Sequence, residues 1–245
     1  MKKLSFFIAM LLLFSSAMFA QVGINADNST PDNSAMLDVK STSAGFLPPR
    51  MTTAQRDLIS SPATALTIYN ITKLCNETYN GTSWVSNTHY IGESYGGGIV
   101  FYVYDNGQHG LIAATADQST GMRWYANTYT NTMALADGVG AGRANTAIII
   151  ANQGYGDGSS YAARVCNEYS VTVGGVTYGD WYLPSKYELN LLYLQKTVVG
   201  GFANYYYWSS SECNANSAWL QHFYFSLQDC GNKYVTSYVR AVRAF

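Results

Sequence analysis

The sequence predicts an α+β protein in which a small β-rich N-terminal module precedes a larger mixed domain. Residues 21–88 alternate short apolar stretches with Asn, Ser, Thr, Pro and Gly, a pattern typical of short strands joined by turns. Residues 99–116 have the pattern of a β-hairpin, and helical spacing follows between residues 142 and 195. The chain has 245 residues, of which 48% are hydrophobic and 12% charged, so disorder is excluded as its main state.

The first twenty residues predict export. Lys2 and Lys3 form a positive start, residues 4–14 are an apolar run, and small residues follow up to Ala20. This is the pattern of a cleavable signal peptide over residues 1–20, with cleavage after Ala17 as an alternative. The apolar run is too short for a transmembrane helix. We therefore expect a protein that is secreted or held on the outer surface of a Gram-negative bacterium.

Charge and cysteine content exclude several classes of partner. Without Lys2 and Lys3, the 14 basic residues become 12 against 15 acidic ones, a formal net charge of −3. No basic cluster remains, which argues against nucleic acid or an anionic membrane as a partner. The four cysteines show no Cys/His spacing of a metal site, so we expect neither a metal nor a cofactor, and their pairing stays open.

The N-terminal module is too small and too polar to bury a core alone, so it should lean on the next domain, on a partner copy, or on both. Residues 53–59 could form one helical turn. The module resembles the head modules of exported or fibre-like bacterial proteins in the motifs VGIN, LDV, GFLPPRMTTAQRD, IYN and YNGTSW. That resemblance implies a stalk or oligomerisation role.

The second domain, residues 89–245, begins with the hairpin. Strands are predicted over residues 99–104 and 110–116, with a turn at residues 105–107. Gly96, Gly97 and Gly98 precede a strand rather than a helix, which favours a turn over a phosphate-binding loop.

Three helices are predicted next. The first ends at Gly154, and its apolar side comprises Ala147, Ile148, Ile150 and Ala151. The second has apolar residues at helical spacing, namely Ala162, Val165, Cys166 and Tyr169, with Cys166 as a buried small residue rather than a nucleophile. The third begins with a capping box of Ser185 and Glu188, and its buried stripe is Leu189, Leu192 and Tyr193.

Several motifs of residues 90–245 occur in an order that resembles the C-terminal domain of collagen-like bacterial adhesins. They are GGIVFYV, GQHGLIAA, RVC, DWYLPSKYEL, YYWSSSE, AW and VRAVR. The resemblance implies a C-type-lectin-like fold, shared with formylglycine-generating enzymes, in which two helices pack on a twisted, mostly antiparallel sheet.

Residues 204–238 also resemble the variable segment of target proteins that retroelements diversify. In such systems substitutions arise at template adenines, so Asn codons give many residue types but never Lys, Glu, Gln, Met or Trp. Those types occupy the apparent frame of this segment, namely Glu212, Trp219, Gln221, Gln228 and Lys233. The candidate varied, ligand-binding residues are Cys213, Ser217, Leu220, His222, Tyr224, Phe225, Ser226, Leu227, Asp229, Cys230, Gly231, Tyr234, Val235 and Ser237.

Strand alternation predicts how this segment faces solvent. Leu220, His222 and Tyr224 should point outward, opposite to Trp219, Gln221 and Phe223. We further expect an exposed loop over residues 225–231, a strand at Tyr234 and Val235, and a final strand over residues 239–245. The alternation is also consistent with ordinary amphipathicity, in which Leu220 and Phe225 are core residues; the resemblance favours display.

Three functions are compatible with these patterns. The first is a surface-displayed protein that binds a protein or cell-surface ligand through a diversified C-terminal face. The second is a fixed glycan-binding adhesin, although the calcium-dependent sugar motifs of C-type lectins are missing from the sequence. The third is an enzyme. The resemblance to formylglycine-generating enzymes implies a pair of reactive cysteines, for which Cys213 and Cys230 are the candidates. Both occupy candidate varied positions, so we expect no catalytic residue. A homo-oligomer, such as a trimer, is expected from the N-terminal module.

Overall fold

The computed structural model of the chain describes residues 21–86 and 88–245, so the predicted signal peptide lies outside the described residues. These residues form a mixed α+β protein with many strands and few helices. They divide into two compact units, one that ends at Pro49 and one that spans Arg50–Phe245. The β-rich stretch predicted over residues 21–88 thus contributes to both units. Within the described chain, no helix has the length and apolar character needed to cross a membrane.

The first unit contains a two-stranded parallel ribbon. Strands β1 (Val22–Asn25) and β2 (Leu37–Lys40) pair in register from Val22 opposite Leu37 to Asn25 opposite Lys40. No residue between positions 21 and 49 is buried. The buried residues of the predicted N-terminal module all lie in the second unit, namely Arg56, Ile68, Asn70, Cys75 and Glu77.

The second unit opens with a four-stranded sheet in the order β3-β4-β5-β6. Its strands are β3 (Arg50–Met51), β4 (Thr67–Asn70), β5 (Cys75–Tyr79) and β6 (Trp84–Ser86). The helical turn predicted at residues 53–59 is confirmed as α1 (Thr53–Asp57), which begins with a capping box of Thr52 and Gln55.

The predicted hairpin is confirmed, with a shorter second strand. It belongs to a sheet in the order β17-β9-β8-β7. The strands are β7 (Ser94–Tyr95), β8 (Gly98–Tyr104), β9 (His109–Ala113) and β17 (Val242–Ala244), with a 3₁₀ turn over Asp105–Gly107. Gly96 and Gly97 have positive φ angles in the turn between β7 and β8, which confirms the turn interpretation of these glycines.

The candidate site lies on a five-stranded sheet in the order β10-β16-β13-β14-β15, in which only the β13–β16 pair is parallel. The strands are β10 (Ser119–Met122), β13 (Tyr206–Asn214), β14 (Ser217–His222), β15 (Gln228–Asn232) and β16 (Ser237–Val239). A separate hairpin comprises β11 (Val171–Val173) and β12 (Val176–Tyr178).

Three predictions about the C-terminal segment were wrong. Residues 228–232 form β15, because they pair with β14, and are not part of a loop. Tyr234 and Val235 lie in the turn after β15 rather than on a strand. The end of the chain forms two short strands, β16 and β17, which belong to different sheets and are separated at Arg240 and Ala241.

The predicted helices form α2 (Ala141–Gln153), α3 (Ala162–Asn167) and α4 (Lys186–Leu194), and a short α5 (Lys196–Val199) follows. In α3, Cys166 is a buried free thiol, as expected, and burial raises its pKa. The capping box of Ser185 and Glu188 at the start of α4 is also confirmed. Of the predicted buried stripe, Leu189 and Leu192 are buried, but Tyr193 is only half-buried.

The apolar side predicted for α2 was wrong. Ala147, Ile148 and Ala151 are exposed and Ile150 is half-buried. The side that faces the protein carries Ile149 together with polar residues, namely Asn145, Thr146 and Gln153. The three polar side chains can be buried because each makes a hydrogen bond to the backbone of another segment. Asn145 accepts from the N–H of Ala136, Gln153 accepts from the N–H of Ala126, and Thr146 donates to the carbonyl of Leu183.

Strands β13 and β14 are covered on both faces. Trp208 and Leu220 belong to one buried apolar cluster, whereas Tyr207 and Phe223 belong to a second. Neighbouring residues of a strand point to opposite faces, so this sheet separates two parts of the core.

Candidate ligand-binding face

The frame residues predicted in the variable segment hold it onto the rest of the domain. We call Glu212, Trp219, Gln221, Gln228 and Lys233 the anchor residues. Glu212 and Lys233 form a fully buried ion pair between β13 and the turn after β15. The carboxylate of Glu212 also accepts hydrogen bonds from the backbone N–H groups of Thr132 and Met133, each at 2.9 Å.

Lys233 uses its remaining donors on carbonyl groups. Its Nζ donates to the carbonyl oxygens of Thr130 and Ala215, each at 2.9 Å, and lies 4.5 Å from the centroid of the Trp124 ring. Burial lowers the pKa of the Lys233 ammonium, and the hydrogen bond to Glu212 opposes that change. This buried charge is thus fully partnered, as buried charges in folded proteins must be.

The other three anchor residues attach β14 and β15 to α4. The ammonium of Lys186 lies 3.6 Å from the centroid of the Trp219 ring. Gln221 Nε2 donates to Asn190 Oδ1 at 3.0 Å. Gln228 Nε2 donates to the carbonyl of Lys186 at 3.0 Å and to Gln221 Oε1 at 3.2 Å. These contacts attach the hairpin of β14 and β15 to α4 through Trp219 and through the Gln221–Gln228 pair at its turn end.

A disulfide adds a covalent link. Cys213 on β13 and Cys230 on β15 are bonded, with their Cα atoms 6.3 Å apart. The structure thus decides a pairing that the sequence leaves open, although both cysteines occupy candidate varied positions. The register of β13 and β14 shifts on both sides of Glu212, and this irregularity brings Cys213 within reach of the outer strand.

The structure separates the candidate ligand-binding residues into three groups. The exposed ones are Tyr224, Phe225, Ser226, Leu227, Asp229, Cys230 and Tyr234. The half-buried ones are Cys213, Ser217, His222, Gly231 and Val235. The buried ones are Leu220 and Ser237.

The prediction that Leu220 points into solvent was wrong. Only 6% of Leu220 is exposed, because this face of the sheet is covered by the cluster that contains Trp208. Gln221 and Phe223 are buried, as predicted, and Trp219 is half-buried. Tyr224 is exposed, but β14 ends at His222, so strand alternation does not determine its direction.

The turn between β14 and β15 is the most exposed part of the face. We call Tyr224, Phe225, Leu227 and Tyr234 the protruding residues; they are 59%, 69%, 52% and 60% exposed. The Nδ1 atom of His222 accepts hydrogen bonds from the backbone N–H groups of Tyr224 at 3.1 Å and Phe225 at 3.4 Å. The side chain of His222 therefore shapes the turn that carries three of the protruding residues, Tyr224, Phe225 and Leu227, whereas Tyr234 lies in the turn after β15.

Sequence reasoning missed three tyrosines that extend this aromatic surface. The His222 ring contacts Phe225 on one side and Tyr206 on the other, with centroid distances of 4.9 Å and 4.7 Å. Tyr206 contacts Tyr205, which contacts Tyr238 in turn. The run of three tyrosines before Trp208 was the available signal for Tyr205 and Tyr206, whereas nothing in the sequence singled out Tyr238.

Leu220 and Gly231 should behave as one packed unit. A Cβ atom at position 231 would lie 2.5 Å from Leu220 Cδ2 and 3.3 Å from Trp208 Cη2. We expect Gly231→Ala to lower the free energy of unfolding by about 1–3 kcal/mol through overpacking. Leu220→Ala should cost about 2–5 kcal/mol through the cavity it leaves.

Urea denaturation of both variants and of the double variant measures the coupling between the two positions. The double variant should lose less than the two losses added together, because Leu220→Ala makes room for the new methyl group. Phe225→Ala, at an exposed position, is the control and should leave stability nearly unchanged. Additive losses would contradict this coupling.

The described residues contain no group of three or more His, Cys, Asp or Glu side chains arranged to hold a metal ion. The two free thiols, Cys75 and Cys166, are both buried. What the face presents is therefore aromatic and polar surface on an anchored hairpin.

Two protein families match the chain, over regions that overlap at residues 113–132. Residues 113–243 match the Lcl C-terminal domain, and residues 23–132 match a phage tail like trimerisation region. No curated protein matches the chain. Because the first match spans more than half of the sequence, the chain belongs to the Lcl C-terminal domain family.

Proposed function

We propose that this protein is a secreted or surface-displayed ligand-binding protein, an adhesin or receptor, whose C-terminal face is diversified to recognise variable targets. One observation carries the proposal. The anchor residues belong to the types that substitution at template adenines cannot create, and each of them attaches the segment to the domain. The protruding residues belong to the types that such substitution can create.

This partition is what a diversified binding surface requires. Substitution of a protruding residue changes the exposed surface without removing a buried contact, whereas the anchor residues keep the backbone in place. Loops carried on a rigid scaffold serve the same purpose in immune receptors. The disulfide between Cys213 and Cys230 would then be particular to those variants that carry cysteine at both positions.

The chemistry of the face favours a protein or cell-surface ligand. Tyrosine and phenylalanine supply large contact area at low entropic cost, and Asp229 and Ser226 supply adaptable hydrogen-bonding groups. The C-type-lectin-like fold implied by the sequence resemblance belongs to the same proposal; α2 and α4 with the antiparallel strands around β13 are compatible with it. Export of the protein and the formation of a homotrimer are also part of this proposal, and the matched trimerisation region supports the trimer.

We propose no catalytic role. The formylglycine-generating relatives implied by the resemblance depend on a pair of reactive cysteines. In this chain the corresponding candidates, Cys213 and Cys230, are joined to each other at the edge of the candidate face.

Sequencing of the coding segment in a bacterial population tests the diversification. We expect substitutions concentrated at codons of the candidate ligand-binding residues within residues 204–238 and absent from the anchor codons. A nearby copy of the segment with Asn codons at the varied positions, and a reverse transcriptase gene, should accompany them. The segment that encodes residues 141–199 is the control, and equal substitution frequencies in the two segments would rule the proposal out.

The sequence resemblance to collagen-like adhesins favours a fixed glycan-binding adhesin as the second candidate. A glycan array probed with the wild-type protein and with the variant Tyr224→Ser/Phe225→Ser/Leu227→Ser/Tyr234→Ser separates the two. Binding to the same glycans by both proteins, with unchanged melting temperature, would support the fixed adhesin. Loss or change of binding at unchanged melting temperature would support recognition by the protruding residues.

A further inference from the structure

One face of the N-terminal ribbon is apolar and uncovered. In the parallel register of β1 and β2, Val22 lies opposite Leu37 and Ile24 lies opposite Val39. Because side chains alternate along a strand, these four residues share one face. They are 53%, 54%, 57% and 44% exposed, respectively. We call them the ribbon face.

The other face of the ribbon is polar and already solvated. It presents Gly23, Asn25, Asp38 and Lys40. The ammonium of Lys40 pairs with Asp27 at 2.9 Å in an exposed salt bridge. The ribbon is thus amphipathic, and only one of its faces needs a partner.

Elementary sheet physics indicates that the ribbon face is covered in the working protein. Parallel strands are found almost only where other elements cover them, and a two-stranded sheet alone is marginally stable. Residues 21–49 bury nothing within the described chain, and Met36, Phe46 and Leu47 add further exposed apolar surface. A unit of this composition gains its stability from association.

Two observations point to identical copies of the chain as the occupant. The matched phage tail like trimerisation region begins at residue 23, within β1. The ribbon face also carries no charged residue, so symmetry-related copies can bring the same residues together around an axis without repulsion between like charges. A partner that recognised charge would instead be expected at the face with Asp38 and Lys40.

We propose that three copies of the chain pack their ribbon faces together, so that Val22, Ile24, Leu37 and Val39 form the core of the trimer. This inference deepens the proposed function, and it relies on that function only for the number of copies. It assigns oligomerisation to residues 22–40, at the opposite end of the sequence from the candidate ligand-binding segment.

Light scattering and sedimentation of the mature chain, residues 21–245, test the interface. The wild type should have three times the mass of one chain. Ile24→Asp/Val39→Asp should give a monomer, because it places charges in the trimer core. The control Asn28→Asp/Ser41→Asp adds the same charge at exposed positions away from the ribbon face and should remain a trimer. The melting temperatures of the full-length variants, compared with that of the wild type, show whether the larger unit, Arg50–Phe245, stays folded.

A cross-linking variant tests the same interface through a new covalent product, which forms when two ribbon faces meet and not when the protein merely misfolds. Ile24→Cys should form disulfide-linked dimers on oxidation, whereas Asn28→Cys should not. The free cysteines Cys75 and Cys166 are buried and should not react under native conditions. A monomeric wild type, or a trimer that persists in Ile24→Asp/Val39→Asp without cross-linking of Ile24→Cys, would overturn the interface. Either result leaves the sequencing test of diversification unaffected.

Discussion

Replacing Lys233 with methionine should lower the free energy of unfolding by about 3–5 kcal/mol, the usual cost of breaking a buried ion pair by removing one partner. The substitution leaves the Glu212 carboxylate buried without its cation and leaves the carbonyl groups of Thr130 and Ala215 without their donor. The effect is large because burial excludes the water that would otherwise solvate these groups.

Urea denaturation measures this loss, and two further variants identify its cause. Lys40→Met removes a lysine from an exposed pair with Asp27 and should cause no measurable loss. Glu212→Gln in the Lys233→Met background should restore part of the stability, because it removes the uncompensated charge. A loss for Lys233→Met as small as that for Lys40→Met would mean that the pair does not anchor the segment.

Replacing Arg240 with methionine should have an effect of similar size, about 3–5 kcal/mol. Arg240 is 1% exposed and lies where the chain crosses from β16 to β17. Its guanidinium donates to Asp117 Oδ1 at 2.7 Å and to the carbonyl groups of Ala114 at 2.9 Å and Gly201 at 2.7 Å. Removing the guanidinium leaves three acceptors, which come from two segments of the chain, without their donor.

The repeated VRAVR motif supplies a matched control for this experiment. Arg243 pairs with Asp180 at 2.7 Å, but 40% of the Asp180 side chain is exposed, so Arg243→Met should cost about 1 kcal/mol or less. Arg240→Lys should lie between the two, since lysine keeps the charge but loses the planar fork. Thermal or urea denaturation gives all three values, and equal losses for Arg240→Met and Arg243→Met would contradict the structural distinction between them.

Sequence patterns predicted helices and turns correctly where the residues that determine them are close together in the chain. The hairpin around Asp105–Gly107, the helix with buried Cys166 and the capping box at Ser185 depend on residues close together in the chain. The apolar side of α2 was predicted wrongly because its buried residues are polar, and their partners lie in distant segments.

The candidate face shows the same limit. The types of the anchor residues could be read from the sequence, but their roles depend on partners such as Thr132 and Asn190 that are far away in the chain. Leu220 was predicted to be exposed because alternation assumes that one face of a strand is open to solvent. In this protein both faces of β13 and β14 are covered.

The sequence by itself determined the α+β class, the order of the main elements and the division of the C-terminal segment into two residue sets. Local propensity and side-chain periodicity act over a few residues, so they can be read without the fold. Only the tertiary structure decided that Leu220 is core, that Cys213 bonds to Cys230, and that the two arginines of VRAVR differ in burial. Those outcomes depend on which distant segments meet, and burial and pairing of that kind are properties of the whole packed chain.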